Sequence, residues 1–369
     1  MIRFVNQWTN RRQGSDNQKL QNRECVEEKE KFMDQKMQDV CDKLVEYRKM
    51  LKKKMFWEAD SNAVAIMSAM MCISKNVPAD IDRYLECKKI FKKNVNILNE
   101  FRGISETMVI TKMTFQEDPE TYIQGCLEVY KKLRKIHKFT ADTYMVMTAI
   151  NIYENGGLEK ADENIEKLEE VYKQSKAKHP FLTGTNDRPL LSLLVLSDID
   201  FENIIDESEA CYERVKKFSV LHKDQLQTMA HIMSLSAVPA DDKCQKAQDI
   251  IKGLKAAKKP IAKDYGLPIV GAMALLDMPV DEIITKICEA DDFLKHQKGF
   301  RWFSIGRRTR RMYDQMVVVL TYMEDSSTMA SAIMNNTMTM VLMEEVMLML
   351  FATSMAVSTI NSSASSSSN

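Results

Sequence analysis

Three segments of the chain spell nearly the same pattern at a nearly constant interval, and that recurrence restricts the fold more than any other feature. Cys126 leads through Leu-Glu-Val-Tyr-Lys-Lys to His137, Leu168 through Glu-Glu-Val-Tyr-Lys to His179, and Cys211 through Tyr-Glu-Arg-Val-Lys-Lys to His222. The histidines lie 42 and 43 residues apart, and each follows the first residue of its segment by 11. A period in this range marks stacked helical hairpins, because one hairpin buries its apolar face only against its neighbours. The pattern predicts an all-α, α-solenoid-like array of about six or seven hairpins with a period near 42 residues.

Each unit reads as an apolar helix followed by an amphipathic one rich in Lys and Glu. The apolar helices begin near Ala63, Thr107, Thr143, Pro189, Leu226 and Leu267, and a seventh near Asp314 stands alone before the tail. Continuous apolar runs also suit parallel strands, but the abundant Ala and Met favour helix. The amphipathic helices are expected over 79–98, 119–137, 158–178, 202–221, 240–257 and 280–297. Asp118 with Pro119, Pro78 with Asp80 and Pro279 with Asp281 are helix-start signals. Asn155-Gly156-Gly157 marks a turn. Three regions follow: 1–58, a polar start and a charged amphipathic helix (Glu24 to Trp57) that caps the array; 59–324, the hairpins; and 325–369, a Met- and Ser-rich apolar tail ending in a disordered Ser-rich terminus.

Composition excludes several classes. The 52 basic residues cancel the 52 acidic ones, so attraction to nucleic acid or anionic lipid can come only from a local patch. Eight cysteines show neither a C-x-x-C pair nor a cluster, which argues for reduced thiols rather than a disulfide framework or zinc site. No apolar leader follows Met1, so a cytoplasmic location is expected. The apolar stretch from Val346 to Val357 is too short for a bilayer span, which needs about 20 residues, and reads as a buried helix or a self-association segment.

The Cys/His recurrence invites a nucleophile and base, yet 11 residues of helix hold such a pair about 16 Å apart. His137, His179, His222 and His296 fall at the ends of amphipathic helices, where a cation or donor complements exposed carbonyls. His231 reads as a core residue. There is no phosphate-binding glycine loop, serine elbow or His-Glu-x-x-His motif, so neither catalytic residues, cofactor nor metal is expected. The 27 methionines read as core filling.

One segment departs from this pattern. Lys298 to Arg311 packs six basic residues (Lys298, Arg301, Arg307, Arg308, Arg310, Arg311) among Phe300, Trp302 and Phe303 within 14 positions. That mixture suits phosphate contacts with stacking, or contact with a membrane surface or acidic protein. The structural alternative is a turn whose aromatics pack on the array and whose arginines pair with acids. Gly299 and Gly306 suggest a loop.

The stretch from His179 through Thr183-Gly-Thr-Asn-Asp187 to Leu191, the segment Lys298 to Arg311, and the Met/Ala/Ser-rich end together resemble an uncharacterised all-helical bacterial family, a domain of unknown function. The resemblance covers most of the chain from about residue 30 and implies no activity. The expectation is a non-enzymatic, cytoplasmic helical-repeat protein that binds a protein or peptide partner. The second reading is a binder of an anionic polymer, such as nucleic acid, or of a membrane surface through 298–311.

Overall fold

The computed structural model describes residues 33–54, 61–137, 143–178, 183–184, 187–196, 201–219, 221–261 and 266–323. The expected tail, with its self-association segment, and most of the polar start lie outside these residues, as does His179. Among the described residues every regular element is a helix. Fourteen α-helices run in order: α1 Gln35–Lys54, α2 Ser61–Ser74, α3 Ile81–Asn94, α4 Glu106–Thr114, α5 Pro119–Ile136, α6 Thr143–Glu154, α7 Ala161–Lys178, α8 Arg188–Val195, α9 Phe201–Val215, α10 Lys223–Met233, α11 Ala240–Ala256, α12 Gly266–Ala274, α13 Val280–Leu294 and α14 Trp302–Tyr322. None is long and apolar enough to cross a membrane.

Local chemistry accounts for the boundaries. Asp80 caps α3 by accepting from the Asp82 and Arg83 N–H groups, and Asp118 caps α5 through Glu120 and Thr121, with Pro119 in the first turn. The odd-numbered helices are amphipathic, with one stripe buried; the even-numbered ones are largely buried, apart from the first turn of α10 and the start of α14 up to Arg308. Every residue of α12 is buried, as are Thr107 to Met113 of α4. Methionines fill this interior, Met67, Met70, Met108, Met229 and Met273 among them.

Pairing differs from the sequence expectation by one helix. Each amphipathic helix packs mainly on the apolar helix that follows it: α1 on α2, α5 on α6, α9 on α10, α13 on α14. The charged N-terminal helix is therefore half of a hairpin rather than a separate cap. Its stripe of Met37, Cys41, Leu44 and Leu51 is buried, which a solvated cap would leave wet. The apolar helix that seemed solitary, α14, is the second half of the last hairpin.

The last hairpin also packs on the first: α13 and α14 touch α1, and α14 touches α2. Lys286 pairs with Asp34 at 2.8 Å, and the Tyr322 hydroxyl donates to the same carboxylate. The Arg48 guanidinium donates to the Lys298 carbonyl at 2.8 Å and to Asn62 Oδ1 at 2.7 Å, while Asn62 Nδ2 donates to the Gly299 carbonyl at 2.8 Å. Between neighbouring amphipathic helices, ion pairs recur at similar sequence steps: Lys93–Glu120 at 27, Lys132–Asp162 at 30, Lys178–Asp206 at 28 and Lys259–Asp291 at 32. Each joins the basic C-terminal part of one helix to the next amphipathic helix.

Candidate functional site

The segment from Lys298 to Arg311 sits where the last amphipathic helix hands over to α14, and two glycines shape it. Gly299 has φ +96, and a Cβ there would lie 2.1 Å from the Arg48 guanidinium carbon, so side chains are excluded on both counts. Gly306 has φ +74 and ψ 158 and breaks α14 after one turn, Trp302 to Ile305. The segment is therefore largely helical rather than a loop, with a kink in place of an open turn.

Burial divides the expected site. Outward lie Lys298, Arg301, Trp302, Phe303, Arg307 and Arg308, all exposed. Trp302 and Phe303 are 64% and 66% exposed and meet edge to face with ring centroids 5.9 Å apart. Phe300 is buried and anchors the turn. Inward lie Arg310, buried, and Arg311, half-buried with Nη2 donating to the Lys258 carbonyl at 3.0 Å. Arg310 is thus a structural cation, not part of an exposed patch.

Beneath it lies a cluster that the sequence reading missed. Arg310 Nε and Nη2 each donate to Asp291 Oδ1 at 2.8 Å, and Lys259 Nζ reaches Oδ2 at 2.6 Å. Asp314, fully buried, completes the group. Burial first, and then the Asp291 charge, push the Asp314 carboxyl well above the usual carboxylate range. Asp291 settles at about 2, because hydrogen bonds from Lys259, Arg310 and protonated Asp314 outweigh the opposing effect of burial. Protonated, Asp314 has one hydrogen bond to give toward Asp291, which accounts for one of its two buried oxygens. Aspartates spaced at 291 and 314 gave no local signal, since each also fits a solvated helix face.

A second, half-buried ion pair, Lys112–Glu154 at 2.8 Å, has the Tyr122 hydroxyl on Glu154 Oε1 at 2.7 Å. Burial pulls the Glu154 carboxyl up, but the Lys112 charge and these hydrogen bonds hold it below its ordinary value. A cleft of about 1240 Å³ runs between α5 and α7 and is lined by Lys132, Ile136, Ile165, Glu169, Val171 and Val195. Its charges largely meet one another, as in Lys132–Asp162 and Lys167–Glu163, so no convergent unpaired group marks it as reactive.

Of the histidines, His296 Nδ1 lies 2.8 Å from the Asp292 carbonyl at the end of α13, the expected capping contact. His137 instead turns its Nε2 to Glu169 of α7, at 2.8 Å. Seven described cysteines are free, six of them buried, and burial pushes the Cys41 and Cys72 thiols up to about 12. No group of three or more His, Cys, Asp or Glu placed to hold a metal occurs among the described residues.

Exposed apolar side chains are the feature that sequence reasoning overlooked. Ile97 and Leu98 (81% and 89% exposed) stand between α3 and α4, Leu221 (88%) between α9 and α10. Their signal was an apolar residue inside a polar connection, as in Asn96-Ile97-Leu98-Asn99.

A family described as "Protein of unknown function (DUF4003)" matches residues 47–346. The chain is also similar to the "Uncharacterized protein YeaA" of Bacillus subtilis (strain 168), at 23% identity over 257 residues, covering 68% of this chain and 76% of that protein. No solved structure matches.

Proposed function

This chain belongs to the DUF4003 family of proteins of unknown function, and on that premise we propose that it is a non-enzymatic, cytoplasmic helical-repeat protein that works by docking. We read its seven hairpins as one array with a period near 42 residues, bent until its ends meet. The contacts of α13 and α14 with α1 and α2 support that reading, as does the regular step of the inter-helix ion pairs. An array closed in this way has its inner helices occupied with one another, so a partner meets the ends rather than a concave groove.

The observation that carries the proposal is the Trp302–Phe303 pair, two-thirds exposed, held by the Gly306 break and surrounded by Lys298, Arg301, Arg307 and Arg308. Aromatic and arginine side chains are the residues that dominate contact energies, and an exposed pair in a preformed turn loses little entropy on binding. A protein or peptide with an acidic surface is one partner of this chemistry; an anionic polymer or membrane is the other. A photo-crosslinking residue at position 302 should give covalent adducts in living cells, while one at position 238, at the other end of the hairpins, should not. Equal yields at the two positions, or none at either, would overturn the reading.

A further inference from the structure

We propose that the end of the molecule carrying Trp302 lies flat on an anionic lipid bilayer, with Trp302, Phe303, Ile97, Leu98 and Leu221 entering the interface. This rests on the docking reading above and names its partner.

Three observations converge on it. First, the five side chains are the most exposed large apolar groups of the described residues, from 64% to 89%. All lie where an amphipathic helix hands over to an apolar one: between α3 and α4, between α9 and α10, and at the start of α14. On the hairpin array proposed above, these connections share one end. Contacts between them agree: Asn62 at the start of α2 bonds the Gly299 carbonyl, and Arg311 near the start of α14 bonds the Lys258 carbonyl between α11 and α12.

Second, the tips are held out rather than loose. Asn96 Oδ1 accepts from the Leu98 N–H at 3.1 Å and Asn99 Oδ1 from the Phe101 N–H at 3.0 Å, while Phe101 is buried. The Trp302 turn is closed by the Ser304 N–H on the Arg301 carbonyl at 2.8 Å. The tips come from the second, fifth and seventh hairpins, so no single peptide-sized groove joins them. A flat, deformable surface can meet all three.

Third, exposed cations surround the tips. Around the tips stand exposed Lys92, Lys217, Lys258, Arg301, Arg307 and Arg308. Net charge zero thus coexists with a local surplus of exposed cations around the tips. Aromatic tips among cations suit the headgroup region of a bilayer whose lipids are anionic.

The test is flotation of the purified full-length protein with vesicles. With about one-third phosphatidylglycerol in phosphatidylcholine, the bound fraction should exceed that with pure phosphatidylcholine about tenfold and should fall at high salt. Trp302→Ala with Phe303→Ala, and separately Ile97→Ser with Leu98→Ser, should each weaken partition about tenfold, whereas Val238→Ser should not change it. Circular dichroism melts establish that each variant is folded. No partition of the parent protein into the anionic vesicles overturns the lipid inference, and if position 302 still crosslinks to a protein in cells the docking reading survives alone. An Ile97/Leu98 variant that binds as the parent does overturns the flat-face geometry.

Discussion

The arginines of the segment from Lys298 to Arg311 meet opposite fates. Before Gly306, Arg301, Trp302 and Phe303 stand in solvent; four residues after it, Arg310 is buried and bound to Asp291. Density of arginine and aromatic residues is therefore no measure of a binding site. What distinguishes Arg310 from its exposed neighbours is a buried carboxylate, Asp291, which it neutralises. A desolvated cation is stable where charges and hydrogen bonds compensate it, and the four-group arrangement of Arg310, Lys259, Asp291 and Asp314 provides this.

The contrast can be broken most directly at Arg310. Arg310→Ala leaves Asp291 with less compensation and should cost about 3–5 kcal/mol of stability in denaturant titrations. A loss below about 1 kcal/mol would place Arg310 in the same energetic class as its exposed neighbours. Next in size is Gly299→Ala, which forces a side chain into positive φ against Arg48 and should cost about 1–3 kcal/mol. An unchanged melting temperature would show that the seam between the first and last hairpins yields easily.

Asp314 sharpens the contrast through pH. Its folded pKa lies above the unfolded value, so the native state holds a proton that the unfolded chain releases. The stability this group contributes is complete below about pH 4 and is withdrawn as pH rises toward the raised value. Asp291, settled at about 2, acts in the opposite sense: its contribution is lost as pH falls from about 4 toward 2. Asp314→Asn keeps a donor facing Asp291 without the titration. Its melting temperature should stay close to the parent's near about pH 4 and gain on it as pH rises from there toward the raised value. A difference constant across that range would mean that Asp314 does not hold its proton. The smallest effect belongs to the outward half, where Trp302→Ala and Phe303→Ala should each change stability by no more than about 0.5 kcal/mol. A loss of several kcal/mol would reveal a packing role for an aromatic pair that is two-thirds exposed.

Much of the helical framework was legible because its signals are local. Asp118 with Pro119 announces α5, and the expected 119–137 ends within one residue of the observed helix. The runs of Ala, Met and Val predicted helices buried on every side, and α12 is one. Pairing was not legible, since an apolar helix offers equal faces to the helix before it and the helix after it. Nor was the closing contact, where Arg48 and Lys298 lie 250 residues apart. Half of the candidate site survives as an exposed patch. The tips at Ile97, Leu98 and Leu221 went unread because the sequence placed them at the ends of the amphipathic helices 79–98 and 202–221, whereas those helices end at Asn94 and Val215.

By itself the sequence determined that the chain is helical, where most helices start and stop, and which of them are apolar all round. These follow from caps, turn residues and periodicity, all acting within a few residues. Only the tertiary structure decided which helices pair, that the last hairpin meets the first, and which arginines face water. Those outcomes depend on where buried carboxylates and distant backbone carbonyls come to lie, and no spacing within a segment encodes a contact made across 250 residues.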